Sequence, residues 1–148
     1  RLDLIKLIGQ TLADIDEKIN ESTLTFKNVL PEPPVFIEAD GDKLYRVFLN
    51  LYMNAISYSL PNSRVHTVVT LGKEAVEVRI KNTSQNELDF DKEEIMERFV
   101  RADKSRTGEG SGLGLSIAKS FTEACGGSFQ IETDADMFIA ILYFPLFR

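Results

Sequence analysis

The sequence predicts an α+β domain with helices layered on one face of a mixed, mostly antiparallel sheet, a two-layer α/β sandwich. Three observations carry that expectation. Long stretches with an apolar period of three to four residues occur at 3–20, 41–58 and 112–124. Shorter alternating or apolar runs fall between and after them, two joined at Gly72-Lys73. The resulting order is helix, strands, helix, hairpin, short helix, loop, helix, hairpin, which segregates helices from an antiparallel sheet.

The first helix, 3–20, places Ile5, Ile8, Leu12, Ile15 and Ile19 on one face, with Asp3 as N-cap. Residues 23–30 form a strand that Pro31, Pro33 and Pro34 terminate. Val35-Phe36-Ile37 is a short second strand. Helix 41–58 has the clearest stripe, Leu44, Val47, Phe48, Leu51 and Ala55. Another face carries Asn50 and Asn54, one turn apart. Asparagine is unfavourable in a helix interior. Two of them there are either solvated surface residues or amides held toward a ligand, since an amide oxygen ligates hard cations.

Strands 64–71 and 74–81 make a hairpin. In the second, Val76, Val78 and Ile80 share one face, and parity continues that face to Asn82. Asn82 is either a pocket-lining amide or a plain turn residue in Asn82-Thr83-Ser84. A short helix at 91–99, capped by Asp91, and a polar, basic loop at 100–110 follow. Strands 128–132 and 137–144 close the chain, the last apolar on both faces as a central strand is.

Gly108, Gly110, Gly112 and Gly114 alternate and run into the helix 112–124, which has Leu113, Ile117, Phe121 and Ala124 on one side. Such a loop is either a flexible hinge before a core helix or one that brings backbone N–H groups close to a bound group, where the helix dipole favours an anion such as a polyphosphate. The segment is not a P-loop, because no Lys-Ser/Thr follows the last glycine. It is not the dinucleotide fingerprint, because the spacing is G-x-G-x-G and no strand leads into it.

The chain has 148 residues, a length of one domain, and 43% hydrophobic residues, enough for a core. Its net charge of −6 argues against a nucleic-acid surface. The single cysteine, Cys125, excludes an internal disulfide and fits a reducing compartment. No apolar run reaches membrane-spanning length. The chain begins at Arg1 without a methionine, which suggests a piece of something longer.

Four elements in order resemble the catalytic, ATP-binding domain of a sensor histidine kinase, within the Bergerat-fold ATPase superfamily. Asp42-Lys43-Leu44 and Val47 to Ala55, with Asn50 and Asn54, resemble the N box. Glu94-Ile95-Met96-Glu97-Arg98-Phe99-Val100-Arg101 is similar to the F box. Gly110-Ser111-Gly112-Leu113-Gly114-Leu115-Ser116-Ile117 is similar to the second glycine box, and Gly126-Gly127 precedes a strand as in the family.

The resemblance implies ATP and Mg²⁺ as cofactors. Asn54 is then the metal ligand, and Asn50 and Asn54 are the catalytic pair. The implied ATP-binding set is Asn54, Tyr58, Asn82, Ser84, Phe99, Arg101, Lys104, Arg106, Gly110, Gly112, Leu113, Gly114 and Leu115, with residues 100–110 as a lid over the phosphates. Two positions depart from the family. Asn82-Thr83-Ser84-Gln85-Asn86 stands where the first glycine box has Asp-x-Gly-x-Gly, and Ser57 stands where the N box usually has Lys. Both bear on affinity and turnover. A branch of Gram-positive sensor kinases carries Asn-x-Ser at the first of them.

The only histidine, His66, is followed by Thr67 and lies in a strand pattern, so it is not the phosphoacceptor. Hydrolytic members of the superfamily place a Glu four residues before the metal-binding Asn. Here that residue is Asn50, which cannot take a proton from water. The expected function is therefore transfer of the ATP γ-phosphate to a His on a separate dimerisation helix. The expected partners are the protein's own dimerisation/phosphoacceptor domain and a cognate response regulator, with no nucleic acid, in a full-length homodimer. The expected location is cytoplasmic, in a membrane-anchored sensor kinase. The alternatives are a degenerate nucleotide-binding or partner-docking module, or an anti-sigma-type serine kinase.

Overall fold

The computed structural model describes residues 1–85 and 114–147. The expected helix 91–99, the loop 100–110 and the first residues of the 112–124 helix lie outside them. So do the site candidates Phe99, Arg101, Lys104, Arg106, Gly110, Gly112 and Leu113.

The chain opens with a two-residue strand, β1 (Leu2–Asp3), and enters α1 (Leu4–Asp14) at once. Asp3 is the N-cap, as the sequence indicates. Its Oδ1 accepts from the backbone N–H of Ile5 at 3.2 Å and Lys6 at 3.4 Å. The same oxygen accepts from Val35 N at 3.3 Å, next to β3 (Phe36–Ile37), which pairs antiparallel with β1. One carboxylate thus caps a helix and fastens a strand 32 residues away. Asp3→Ala should lower stability by about 1–2 kcal/mol, because these donors lose their acceptor. Chemical denaturation of the variant and the parent measures it, and an unchanged midpoint would show that the cap is dispensable.

The single helix expected over 3–20 is in fact two, α1 and α2 (Asp16–Glu21), broken at Ile15, whose φ of −105° and ψ of 14° are not helical. Ile15 itself stays buried, and Ile19 packs on the core. The break lets both side chains reach the body while the chain turns toward β2 (Thr25–Val29). The period-3.6 pattern continues through Ile15, so it gives no sign of the break.

Helix α3 (Gly41–Tyr58) has the expected bounds. Asp40 caps it, accepting from Asp42 N at 3.0 Å and Lys43 N at 3.3 Å. Its buried stripe is Leu44, Val47, Phe48, Leu51, Tyr52 and Ala55. The Tyr52 and Thr67 hydroxyls share a buried hydrogen bond of 2.7 Å. Burial pushes the Tyr52 phenol up, more than the Thr67 bond lowers it, so the phenol stays neutral.

Five strands form the main sheet in the order β2-β4-β5-β7-β6, with β4 (Arg64–Leu71), β5 (Ala75–Thr83), β6 (Ser128–Asp134) and β7 (Met137–Pro145). β2 runs parallel to β4, and the other pairs are antiparallel. The sheet is therefore mixed and mostly antiparallel, as expected. Val65, Thr67 and Val69 of β4, Val76, Val78, Ile80 and Asn82 of β5, and Phe138, Ala140, Leu142 and Phe144 of β7 are buried on the face toward the helices. The other face carries Glu77 and Arg79, whose Oε1 and Nε are 2.8 Å apart. β7 lies between β5 and β6, and Ile141 on its outer face is also fully buried.

The last helix, α4 (Gly114–Ala124), corrects one expectation. Its buried residues are Gly114, Leu115, Ala118 and Thr122, not the face through Ile117, Phe121 and Ala124. Small residues at 114 and 118 let α4 lie close against its neighbours, so packing chooses that side. Phe121 is left half-buried, with Lys43 Nζ and the Arg46 guanidinium each 5.8 Å from its ring centre. Its bulk serves as a rim contact between α3 and α4.

Candidate nucleotide-binding site

A cleft opens where the C-terminal half of α3, the end of β5, the start of β7 and the start of α4 meet. Its walls are Leu51, Ala55, Ile80, Leu115, Phe138 and Ala140, and its polar groups belong to Asn54, Tyr58, Asn82 and Ser84. An apolar slot with a few converging polar groups is the usual form of a small-ligand site. Of the expected site residues within the described segments, Asn54, Tyr58, Asn82, Ser84 and Leu115 come together here. They arrive from helix α3, strand β5 and helix α4. Asn50 is one turn earlier on α3 and does not line the cleft.

Asn82 is on the helix-facing side of β5, as parity predicts, and only 6% exposed. The turn-residue alternative for it therefore fails. Its Nδ2 donates to Ser59 Oγ at 2.9 Å, a buried bond between β5 and the C-cap of α3. Ser59 was not among the residues singled out from the sequence. It lies 23 positions from Asn82, and no local pattern links the two.

The amide groups of α3 are unusual in another way. Asn50 Nδ2 and Asn54 Nδ2 are both buried and have no hydrogen-bond partner, and the same holds for Thr122 Oγ1 of α4. No hydrogen bond joins Asn50 to Asn54. Buried side-chain donors are nearly always satisfied, so an orphan is a place where a partner is missing. At Asn54 the orphan sits in a residue that lines the cleft. A ligand with negatively charged oxygens would supply the acceptor, and the amide's other end, its oxygen, is a hard-cation ligand.

Gly114 opens α4 with a φ of +35°, a conformation that only glycine adopts freely. Leu115, the next residue, is in the cleft wall, so the described start of α4 lies at the cleft, and a helix N-terminus favours an anion. Ser57 is exposed, and its carbonyl accepts from Gln85 Nε2 at 3.4 Å, outside the cleft lining. His66 is in the middle of β4, between the inward residues Val65 and Thr67. It therefore faces the opposite side of the sheet from Asn82.

The residues present fit an adenine nucleotide with a bound divalent cation. The apolar walls suit a base, and Asn82 offers a polar group at one side. The orphaned Asn54 amide and the start of α4 suit phosphates. Among the described residues no group of three or more His, Cys, Asp or Glu side chains could hold a metal. A cation here would take one protein oxygen plus phosphate and water oxygens, the manner in which Mg²⁺ binds in nucleotide sites.

Fold and cleft together define an α+β nucleotide-binding domain. Residues 39–147 match the family described as histidine kinase-, DNA gyrase B- and HSP90-like ATPases. The chain belongs to that family. Among curated proteins it is similar to the probable sensor protein PcoS of Escherichia coli, 38% identical over 110 residues, which span 73% of this chain and 24% of PcoS. It is also similar to the sensor histidine kinase WalK of Bacillus subtilis, 32% identical over 126 residues, 82% of this chain and 21% of WalK. The chain thus spans less than a quarter of the length of either relative. Among solved structures, the catalytic domain of the histidine kinase ThkA superposes with a TM-score of 0.80 at 26% identity, covering 97% of this chain and 93% of that one. WalK and ThkA are histidine kinases and PcoS is a probable sensor protein, so neither the degenerate nucleotide-binding or docking module nor the anti-sigma-type serine kinase is favoured.

Proposed function

We propose that this domain binds Mg-ATP in the cleft and presents the γ-phosphate to a histidine on a separate helical domain of its own full-length protein. The observation that carries this reading is the convergence of Asn54 and Asn82 on one apolar slot at the start of α4. In this reading the base lies between Ala55, Ile80, Leu115 and Ala140. Asn82 meets its polar edge, and Tyr58 and Ser84 line the mouth.

Asn54 and the first N–H groups of α4 face the phosphates, and Mg²⁺ bound there supplies charge neutralisation of the triphosphate. Following the family resemblance, residues 100–110 would be the lid, with Arg101, Lys104 and Arg106 as phosphate contacts and Phe99 packing the lid base, and Gly110, Gly112 and Gly114 would let the backbone cradle the phosphates, with Leu113 and Leu115 beside them. Phosphoryl transfer needs mostly positioning and charge neutralisation, and both are within reach of these residues. Asn50 has no basic lone pair with which to deprotonate water, so hydrolysis is not promoted from its position. The histidine would be supplied by the protein's own dimerisation/phosphoacceptor domain, within a homodimer, and the phosphoryl group would pass on to a cognate response regulator. The domain would work in the cytoplasm. Among the described residues no helix is long and apolar enough to cross a membrane.

The test uses labelled ATP with this domain alone and with the dimerisation domain of its own protein. Acid-labile, base-stable label on the added domain is the expected result. Stable label on His66 of the isolated chain would overturn the reading.

A further inference from the structure

We infer that two copies of this domain associate through the outer face of the sheet, about a two-fold axis that runs along β7. The helices cover the other face, and the outward residues of β4, β5, β6 and β7 all keep some exposure except Ile141. Along one line of that outer face β7 presents Met137, Ile139, Ile141 and Tyr143. Arg79 and Lys81 of β5 flank this strip on one side, and Glu132 and Asp134 of β6 flank it on the other. An apolar strip between a basic and an acidic flank matches itself after a half turn, as an isologous contact requires. The face also escapes the repulsion between two acidic chains. The whole chain has a net charge of −6, but the outward residues of the sheet carry four cations, Lys27, Arg64, Arg79 and Lys81, against three acids, Glu77, Glu132 and Asp134.

The strand register fixes which groups meet. Lys81 and Glu132 are both paired with Ile139, one on each side of it. Among the described residues neither is in a salt bridge. A two-fold along β7 sets each β5 residue against the β6 residue of its own row in the second copy. Lys81 then faces Glu132 of the second copy, and Glu132 faces Lys81, so each dimer holds two such pairs. The other rows set Thr83 against Asp134, Arg79 against Gln130 and Glu77 against Ser128, and no like charges oppose one another. On the axis Met137, Ile139 and Tyr143 each meet their own copy, and apolar contact needs no complement. Packed sheets lie about 10 Å apart, a gap that a lysine and a glutamate side chain span together. An axis along β5 instead opposes Lys81, Arg79 and Glu77 each to itself, and like charges across an interface are repulsive. Charge complementarity therefore selects both the occupant and the axis.

Analytical ultracentrifugation of the chain without nucleotide tests this independently of the cleft. The mass of the parent should rise with concentration from 16.7 kDa toward twice that value, and added salt should weaken the association by screening the pairs. Lys81→Glu and Glu132→Lys each place two like-charge contacts in a homodimer, so each variant alone should associate about tenfold or more weakly than the parent. Mixed in equal amounts, the two variants restore opposite charges at both contacts, and a heterodimer should form with about the parental affinity. Circular dichroism verifies that both variants fold. A parent that stays monomeric into the millimolar range overturns the inference. So does a dimer indifferent to both reversals, which would lie on another face, and so does a mixture that stays monomeric, which would break the two-fold pairing of Lys81 with Glu132.

Discussion

Asn54→Ala is expected to remove Mg²⁺-dependent nucleotide binding, by at least ~10-fold in Kd or about 1.4 kcal/mol, while leaving the fold intact. The two halves of that expectation have separate physical grounds. Asn54 lines the cleft together with Leu115 at the start of α4, and the variant loses the side-chain oxygen proposed for the cation. Stability moves little because the native side chain is poorly served without ligand. Its Nδ2 is buried and unpaired, a state that costs about 1–3 kcal/mol relative to a satisfied donor. Alanine removes that donor and is the better helix former by about 0.5 kcal/mol. These gains offset the packing lost with the amide. Calorimetric titrations of ADP with Mg²⁺ and with EDTA, beside thermal unfolding, separate the two effects. Equal Mg²⁺ dependence in parent and variant would rule out Asn54 as the ligand. A collapse of the melting temperature would show that the side chain is structural.

Gly127→Ala is expected to be the most damaging small substitution outside the cleft. A Cβ at 127 would stand 2.6 Å from the carbonyl oxygen of Tyr143 and 2.8 and 2.9 Å from Cδ1 and Cε1 of Phe144. Neither neighbour yields easily. Tyr143 is in β7, paired there with Ser128 of β6 and Glu77 of β5, and Phe144 is a core residue only 1% exposed. Relief requires β6 to move away from β7 at its first pair. Overpacking against backbone is at the upper end of its usual range, about 3 kcal/mol, or roughly 10 °C in Tm for a domain of this size. Gly9→Ala is the control, since a Cβ there meets nothing within 4 Å in α1. It should raise stability by about 0.5–1 kcal/mol. If both variants melt with the parent, close packing at Gly127 is not what that position requires.

The sequence by itself determined the elements whose signals are local. Helix α3 was legible over Gly41–Tyr58 because its apolar stripe is unbroken. The β4–β5 hairpin was legible from two alternating runs around Gly72-Lys73, and the inward side of Asn82 followed from strand parity alone. Asp3 as a cap followed from its place before an amphipathic run. The site's own residues carried a signal too, since Asn82 is polar where strand parity calls for an apolar side chain, and Asn54 stands in a helix interior that disfavours asparagine.

Tertiary structure decided what depends on residues far apart in the chain. The parallel pairing of β2 with β4 and the small β1–β3 pair join segments that no local pattern relates. The break at Ile15 and the buried side of α4 were settled by the surfaces those helices pack against, because a 3.6-residue period allows more than one apolar face when alanine, threonine and glycine are counted. The same cause hid Ser59. A serine at a helix end reads as a cap, and only the folding of β5 against that end turns its hydroxyl into the partner of Asn82. The orphaned amides of Asn50 and Asn54 were equally invisible, since whether a polar atom is buried without a partner depends on everything that surrounds it in space and on nothing beside it in sequence.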